Sequence, residues 1–128
     1  MTDKTSNQMW GGRFEGRSDP AFEAFNCSLG FDARLLSEDI VGSSAWARAL
    51  GRAGVLDEDE VQQLVNALEE LGKELHDDPA PLARSKAEDV HGFVEQALQA
   101  RLGDLARKLH TGRSRNDQSA TGVRLYGM

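Results

Sequence analysis

Val61, Leu64, Val65, Leu68, Leu71 and Leu75 recur at spacings of three and four, which gathers all six on one face of an α-helix and cannot serve a strand. A chain with this stripe must supply helical surface to cover it, and two further stripes do so. Leu36, Ile40, Ala47 and Leu50 mark a helix expected from Asp32 to about Arg52. Val90, Val94, Ala97 and Leu98 mark another, from about Ala87 to Leu102, which Gly103 stops. Asp57 and Glu60 stand at capping-box spacing, so the acid run Asp57–Glu60 reads as a helix start rather than a metal site. No β-alternation, internal repeat or low-complexity tract interrupts this pattern. The expected fold class is all-α.

Smaller signals place the connections. Asp19-Pro20 reads as an N-cap followed by proline in the first helical turn, opening a short helix with Phe22 and Phe25 on one face that ends near Asn26. Before it, Trp10 and Phe14 flank Gly11-Gly12 in an arm that anchors either on its own domain or on a partner subunit. Gly42-Ser43-Ser44 are small enough for a neighbouring helix to approach, and Trp46 reads as core or interface. Gly54 supplies a C-terminal turn, and Asp77-Asp78-Pro79-Ala80-Pro81 reads as a surface linker.

The 128 residues suit one domain by length, with 39% hydrophobic and 28% charged residues as in a globular helical protein. Cys27 is the single cysteine, which excludes an internal disulfide, and it reads as a small packing residue. No apolar run is long enough to span a membrane and the first residues are not signal-like, so the expected location is cytoplasmic.

One stretch departs from all of this. His110-Thr111-Gly112-Arg113-Ser114-Arg115-Asn116-Asp117-Gln118 has no aliphatic side chain and many hydrogen-bonding groups. Ser114 and Asp117 stand at capping-box spacing, so a helix is expected to start here. Its unpaired amides beside Arg113 and Arg115 would suit an anion, most simply a carboxylate. The plainer reading is a polar cap with two solvated arginines. Charge distribution favours the anion: residues 1–104 carry 10 Lys and Arg against 20 Asp and Glu, whereas residues 105–128 carry 5 against 1. The overall net charge of −6 argues against a nucleic-acid binder.

The same stretch resembles the first signature region of argininosuccinate lyase, in the fumarase/aspartase superfamily. Met9-Trp10-Gly11-Gly12-Arg13-Phe14, Phe25-Asn26-Cys27-Ser28-Leu29, Asp39-Ile40-Val41-Gly42-Ser43 and Glu88-Asp89-Val90-His91 resemble further segments of that family, in the same order. The resemblance implies cleavage of argininosuccinate to arginine and fumarate by β-elimination, without a cofactor or metal, in a homotetramer. It implies that Ser28, Arg115 and Asn116 contact substrate, and that Asp89, His91, Thr111, Arg113 and Ser114 support the site. Asp89 and His91, two residues apart, do not share a helical face, so no relay is expected between them. The family's catalytic histidine and serine lie in later signature regions, so no catalytic residue is expected in this chain. It is expected to be an N-terminal portion inactive alone: a helical domain over residues 1–112, then the start of a central-bundle helix over 113–128, weakened at Gly122.

Other readings stand beside this one. A crystallin-like structural relative shares the region's sequence, although nothing in the composition supports a lens role. A non-catalytic helical binding module would be either a nucleic-acid reader using two short helices with Arg113 and Arg115 or a fragment that docks on full-length subunits; binding to nucleic acid is not expected, nor to a membrane. Superfamily members acting on fumarate or adenylosuccinate remain within the class, and the Arg-Ser-Arg-Asn-Asp-Gln run leans against them. His76 and His110 carry no role in any of these.

Overall fold

The three stripes become three helices wrapped around one apolar core. In the computed structural model, which describes residues 19–128 apart from 22, 23, 25 and 26, the helices are α1 (Leu29–Asp32), α2 (Leu36–Arg52), α3 (Glu58–Asp77), α4 (Ala80–Ala83), α5 (Val90–Leu102), α6 (Asp104–Lys108) and α7 (Arg115–Tyr126). A 3₁₀ turn, Ala33–Leu35, joins α1 to α2, and Pro20, Ala21 and Ala24 are helical ahead of them. No strand occurs among the described residues. The expectations for Trp10, Gly11, Gly12, Phe14, Phe22, Phe25 and Asn26 lie outside the described residues.

α3 is the clearest case of pattern becoming structure. Asp57 accepts the Glu60 amide at 2.8 Å and Glu60 Oε1 accepts the Asp57 amide at 3.2 Å, a complete capping box. Leu64 and Leu68 are fully enclosed, and Val65, Leu71 and Leu75 are buried beside them. Ala47 and Leu50 of α2 and Val90, Val94 and Leu98 of α5 close over that face. Burial of each large aliphatic side chain contributes about 1.5–3 kcal/mol.

α2 is the hub, packed against α3, α5 and α7. The small stretch at its middle lets α7 in: a Cβ on Gly42 would stand 3.4 Å from Thr121 Cγ2, and Ser43 and Ser44 are buried.

Four expectations need correction. α2 begins at Leu36, not Asp32, because Leu35 leaves helical geometry and the Asp32 carboxylate is engaged elsewhere, by Ser28 and the Val90 amide. α5 begins at Val90, not Ala87, because Asp89 is extended and its carboxylate caps the helix by accepting the Gly92 amide at 2.7 Å. The segment after Asp77 is not a plain linker, since Pro79 introduces the short α4 and Leu82 is buried. Cys27 is exposed in the irregular stretch before α1, where its thiol lies 3.8 Å from the Ala87 carbonyl. No described helix is long and apolar enough to cross a membrane.

Candidate functional site

The polar run folds as a turn and a helix start. Gly112 has φ +69°, a conformation that side chains on Cβ disfavour, and this turns the chain from α6 toward α7. Ser114 then caps α7: its Oγ accepts the Asp117 amide at 3.3 Å while Asp117 Oδ2 accepts the Ser114 amide at 3.1 Å. The capping box expected from spacing is therefore present, with aspartate serving at the third position.

The two arginines are not solvated decoration. Arg113 turns into a cleft between α2 and α7 lined by Glu38, Asp39, Ser43 and Gln118, and its Nη1 donates to Ser43 Oγ at 3.2 Å. Burial pushes its guanidinium below the ordinary arginine value, with Asp39 foremost among the charges opposing that shift. Arg115 faces α5 instead. Its Nε lies 3.5 Å from Asp89 Oδ2, its Nη2 lies 3.7 Å from Glu95 Oε2, and its Nη1 donates to Gln118 Oε1 at 3.4 Å. Both Arg113 Nε and Arg115 Nε are buried and have no hydrogen-bond partner among the described residues. Buried donors are rarely left so, and two at one helix start mark unspent binding capacity for an acceptor.

The remaining candidates fall around these. Ser28 stands immediately before α1, where its hydroxyl donates to Asp32 Oδ2 at 2.6 Å and its amide donates to the Glu88 carbonyl at 2.8 Å. The other Asp32 oxygen accepts the Val90 amide at 3.0 Å, so Ser28 is tied to the segment that carries Asp89. A continuous polar strip thus runs from Ser28 through Asp32 and Asp89 to Arg115. Asn116 is exposed in the first turn of α7, and Thr111 offers its carbonyl, which accepts the Trp46 indole N–H at 3.2 Å, while the residue itself is exposed.

His91 has a partner that local spacing does not reveal. Its Nδ1–H donates to Asp39 Oδ1 at 2.7 Å, with His91 5% and Asp39 4% exposed. A carboxylate accepts and cannot donate, so Nδ1 carries a proton and the ring's orientation is fixed. The missing relay to Asp89 is consistent with spacing; the pairing comes from α2. His110, half-buried, lies 3.8 Å from Glu95 Oε2. Burial lowers its pKa from the ordinary value; Glu95 opposes this, and Arg113 and Arg115 reinforce it.

Asp39, Ser43, Glu95 and Gln118 carry much of this geometry, and no role attaches to them in sequence. One signal was present for two of them. Asp39 and Ser43 share the helical face of Ala47 and Leu50, and polar residues on a buried stripe require polar partners. Glu95 and Gln118 gave no comparable sign.

Each cation already has an acid in view: Arg113 shares its cleft with Asp39, and Arg115 has Asp89 and Glu95. The Arg115 contacts are long and partly exposed, the kind of ion pair that contributes little. A ligand carboxylate with shorter, paired hydrogen bonds would compete with them. The arrangement can therefore bind and orient an anion, and no metal-ligand cluster occurs among the described residues. A family model described as Lyase matches residues 12–127, nearly the whole chain. The chain therefore belongs to this lyase family, of the fumarase/aspartase superfamily.

Proposed function

We propose that this chain contributes the carboxylate-binding part of an argininosuccinate lyase, a cytoplasmic homotetramer that cleaves argininosuccinate to arginine and fumarate. The observation that carries the reading is the start of α7, where two buried guanidinium Nε–H groups make no hydrogen bond among the described residues, beside an exposed Asn116. β-Elimination next to a carboxylate passes through a dianion, and fixed positive charge and amide donors stabilise it more than they stabilise the substrate. Arg115 would hold a substrate carboxylate, with Asn116 as a neutral donor and Ser28 as a further substrate contact along the same strip. Arg113 and Ser114 would fix the approach of the chain, and Asp89, His91 and Thr111 would support it. The proton-abstracting and proton-donating groups are assigned to other signature regions and not to His91 or His110. On this reading residues 1–112 form the N-terminal domain and 113–128 begin a helix of the central bundle.

The finer choice of substrate rests on the motif sequence around Arg113 and Arg115. The test is a full-length enzyme carrying these residues as its N-terminal part, assayed separately with argininosuccinate, adenylosuccinate, aspartate and malate. Fumarate release is expected from argininosuccinate with kcat/KM at least a hundredfold above the other three. Preference for any of the others would move the assignment to another member of the superfamily.

A further inference from the structure

We propose that Asp39, Ser43 and Trp46 form a polar rail on α2 that sets where Arg115 stands, with Asp39 as its principal positioning residue. The proposal rests on reading Arg115 as the group that binds a substrate carboxylate. Spacings of four and three put the three residues on one helical face, continuous with Ala47 and Leu50.

Each member of the rail holds a different piece of the site. Asp39 accepts the His91 Nδ1–H at 2.7 Å, and the N-cap of the same α5 turn is Asp89, whose Oδ2 faces Arg115 at 3.5 Å. Ser43 Oγ accepts from Arg113 Nη1 at 3.2 Å, two residues before Arg115. The Trp46 indole N–H donates to the Thr111 carbonyl at 3.2 Å, and its ring lies 3.6 Å from where a Cβ on Gly112 would stand. α2 therefore fixes both the loop that leads into Arg115 and the α5 turn that faces it.

The chemistry of Asp39 points beyond packing. Its Oδ2 is sealed from solvent with no hydrogen-bond partner among the described residues. A carboxylate half satisfied in this way is a poor source of stability, since a well-packed apolar residue at such a place often serves better. Its value lies in its two neighbours: it fixes the His91 ring, and it is the acid that most offsets the burial of the Arg113 charge. Losing it would leave a buried guanidinium short of a counter-charge and free the loop before Arg115.

The test is a set of double-mutant cycles in a full-length enzyme of this family that carries these residues. Asp39→Asn, Ser43→Ala and Trp46→Phe are each made in the parent and in an Arg115→Ala background, with kcat, KM and Tm measured throughout. Asp39→Asn is expected to lower kcat/KM at least tenfold in the parent and less than twofold once Arg115 is absent. Ser43→Ala, which removes one hydroxyl, is expected to lower it at least threefold in the parent and to have no effect in Arg115→Ala. The same factors in both backgrounds, or parent-like kinetics for Asp39→Asn and Ser43→Ala, would overturn the rail while leaving the Arg115 assignment intact. Should Asp39→Asn fail to fold, Ser43→Ala and Trp46→Phe carry the cycle. Parent-like kinetics for Arg115→Ala alone would instead remove the carboxylate-binding reading, and the rail with it.

Discussion

α3 and α7 both begin with a capping box, yet they are held by opposite means. α3 places five large aliphatic residues and Ala67 in the core and leaves its charged side chains outside, where Arg101 pairs with Glu74 and Lys108 with Glu60 at 2.5 Å. α7 buries Gln118 and Gly122 and no large aliphatic residue, and its entrance is fastened by Arg113, Arg115 and the acids facing them. Val123 and Tyr126 remain exposed on it. Apolar burial is nondirectional and tolerant, so it builds a scaffold; buried polar contacts are directional, which suits a site.

That contrast predicts where substitutions act. The largest effect on stability belongs to α3: Leu68→Ala should destabilise by ~2–5 kcal/mol through a cavity at a fully enclosed position. Chemical denaturation of the parent and variant chains measures it, and a loss below about 1 kcal/mol would mean that α3 is not the centre of the core. A smaller effect belongs to the start of α7. Ser114→Ala should destabilise by about 1 kcal/mol, and Ser114→Gly by only a few tenths, because glycine lets solvent reach the amides. Equal losses from both would contradict the cap.

The smallest effect is a change of slope with pH. The folded state lowers the His110 pKa below 6.5, so the neutral ring is favoured on folding. A depressed pKa makes its contribution complete above the unfolded value and loses it as pH falls toward the folded value. The parent should therefore lose stability between about pH 7 and pH 5, and His110→Gln should lose less over the same interval. Melting temperatures at several pH values compare the two directly. A steeper decline in His110→Gln would reverse the sign of the argument.

The same contrast explains what could be read from sequence. α3 was legible because its stripe and its box depend on neighbours three and four residues apart. The α7 box was legible for the same reason, down to aspartate replacing the usual glutamate. The site's fastenings were not. His91 to Asp39 spans 52 residues, Trp46 to Thr111 spans 65 and Arg113 to Ser43 spans 70, and nothing periodic announces such pairs. The inward turn of Arg113 was equally hidden, since a charged residue between a glycine and a cap reads as solvated until α2 is in place. The start expected for α5 near Ala87 failed on a side chain: Asp89 caps rather than continues a helix.

The central claim is that the start of α7 binds a substrate carboxylate rather than only beginning a helix. The most direct measurement is kcat/KM and Tm for Arg115→Ala and Arg115→Lys in a full-length enzyme of this family, with Arg34→Ala as control, its side chain being exposed and donating to the Phe31 carbonyl. A planar, two-pronged donor is not replaced by an ammonium. Both Arg115 variants should lose roughly tenfold or more in kcat/KM, at least about 1.4 kcal/mol of transition-state stabilisation, with melting close to the parent's. Arg34→Ala should leave both unchanged. Parent-like turnover in Arg115→Ala, or a loss of rate matched by a loss of folding, would contradict the claim and leave the run as a helix cap.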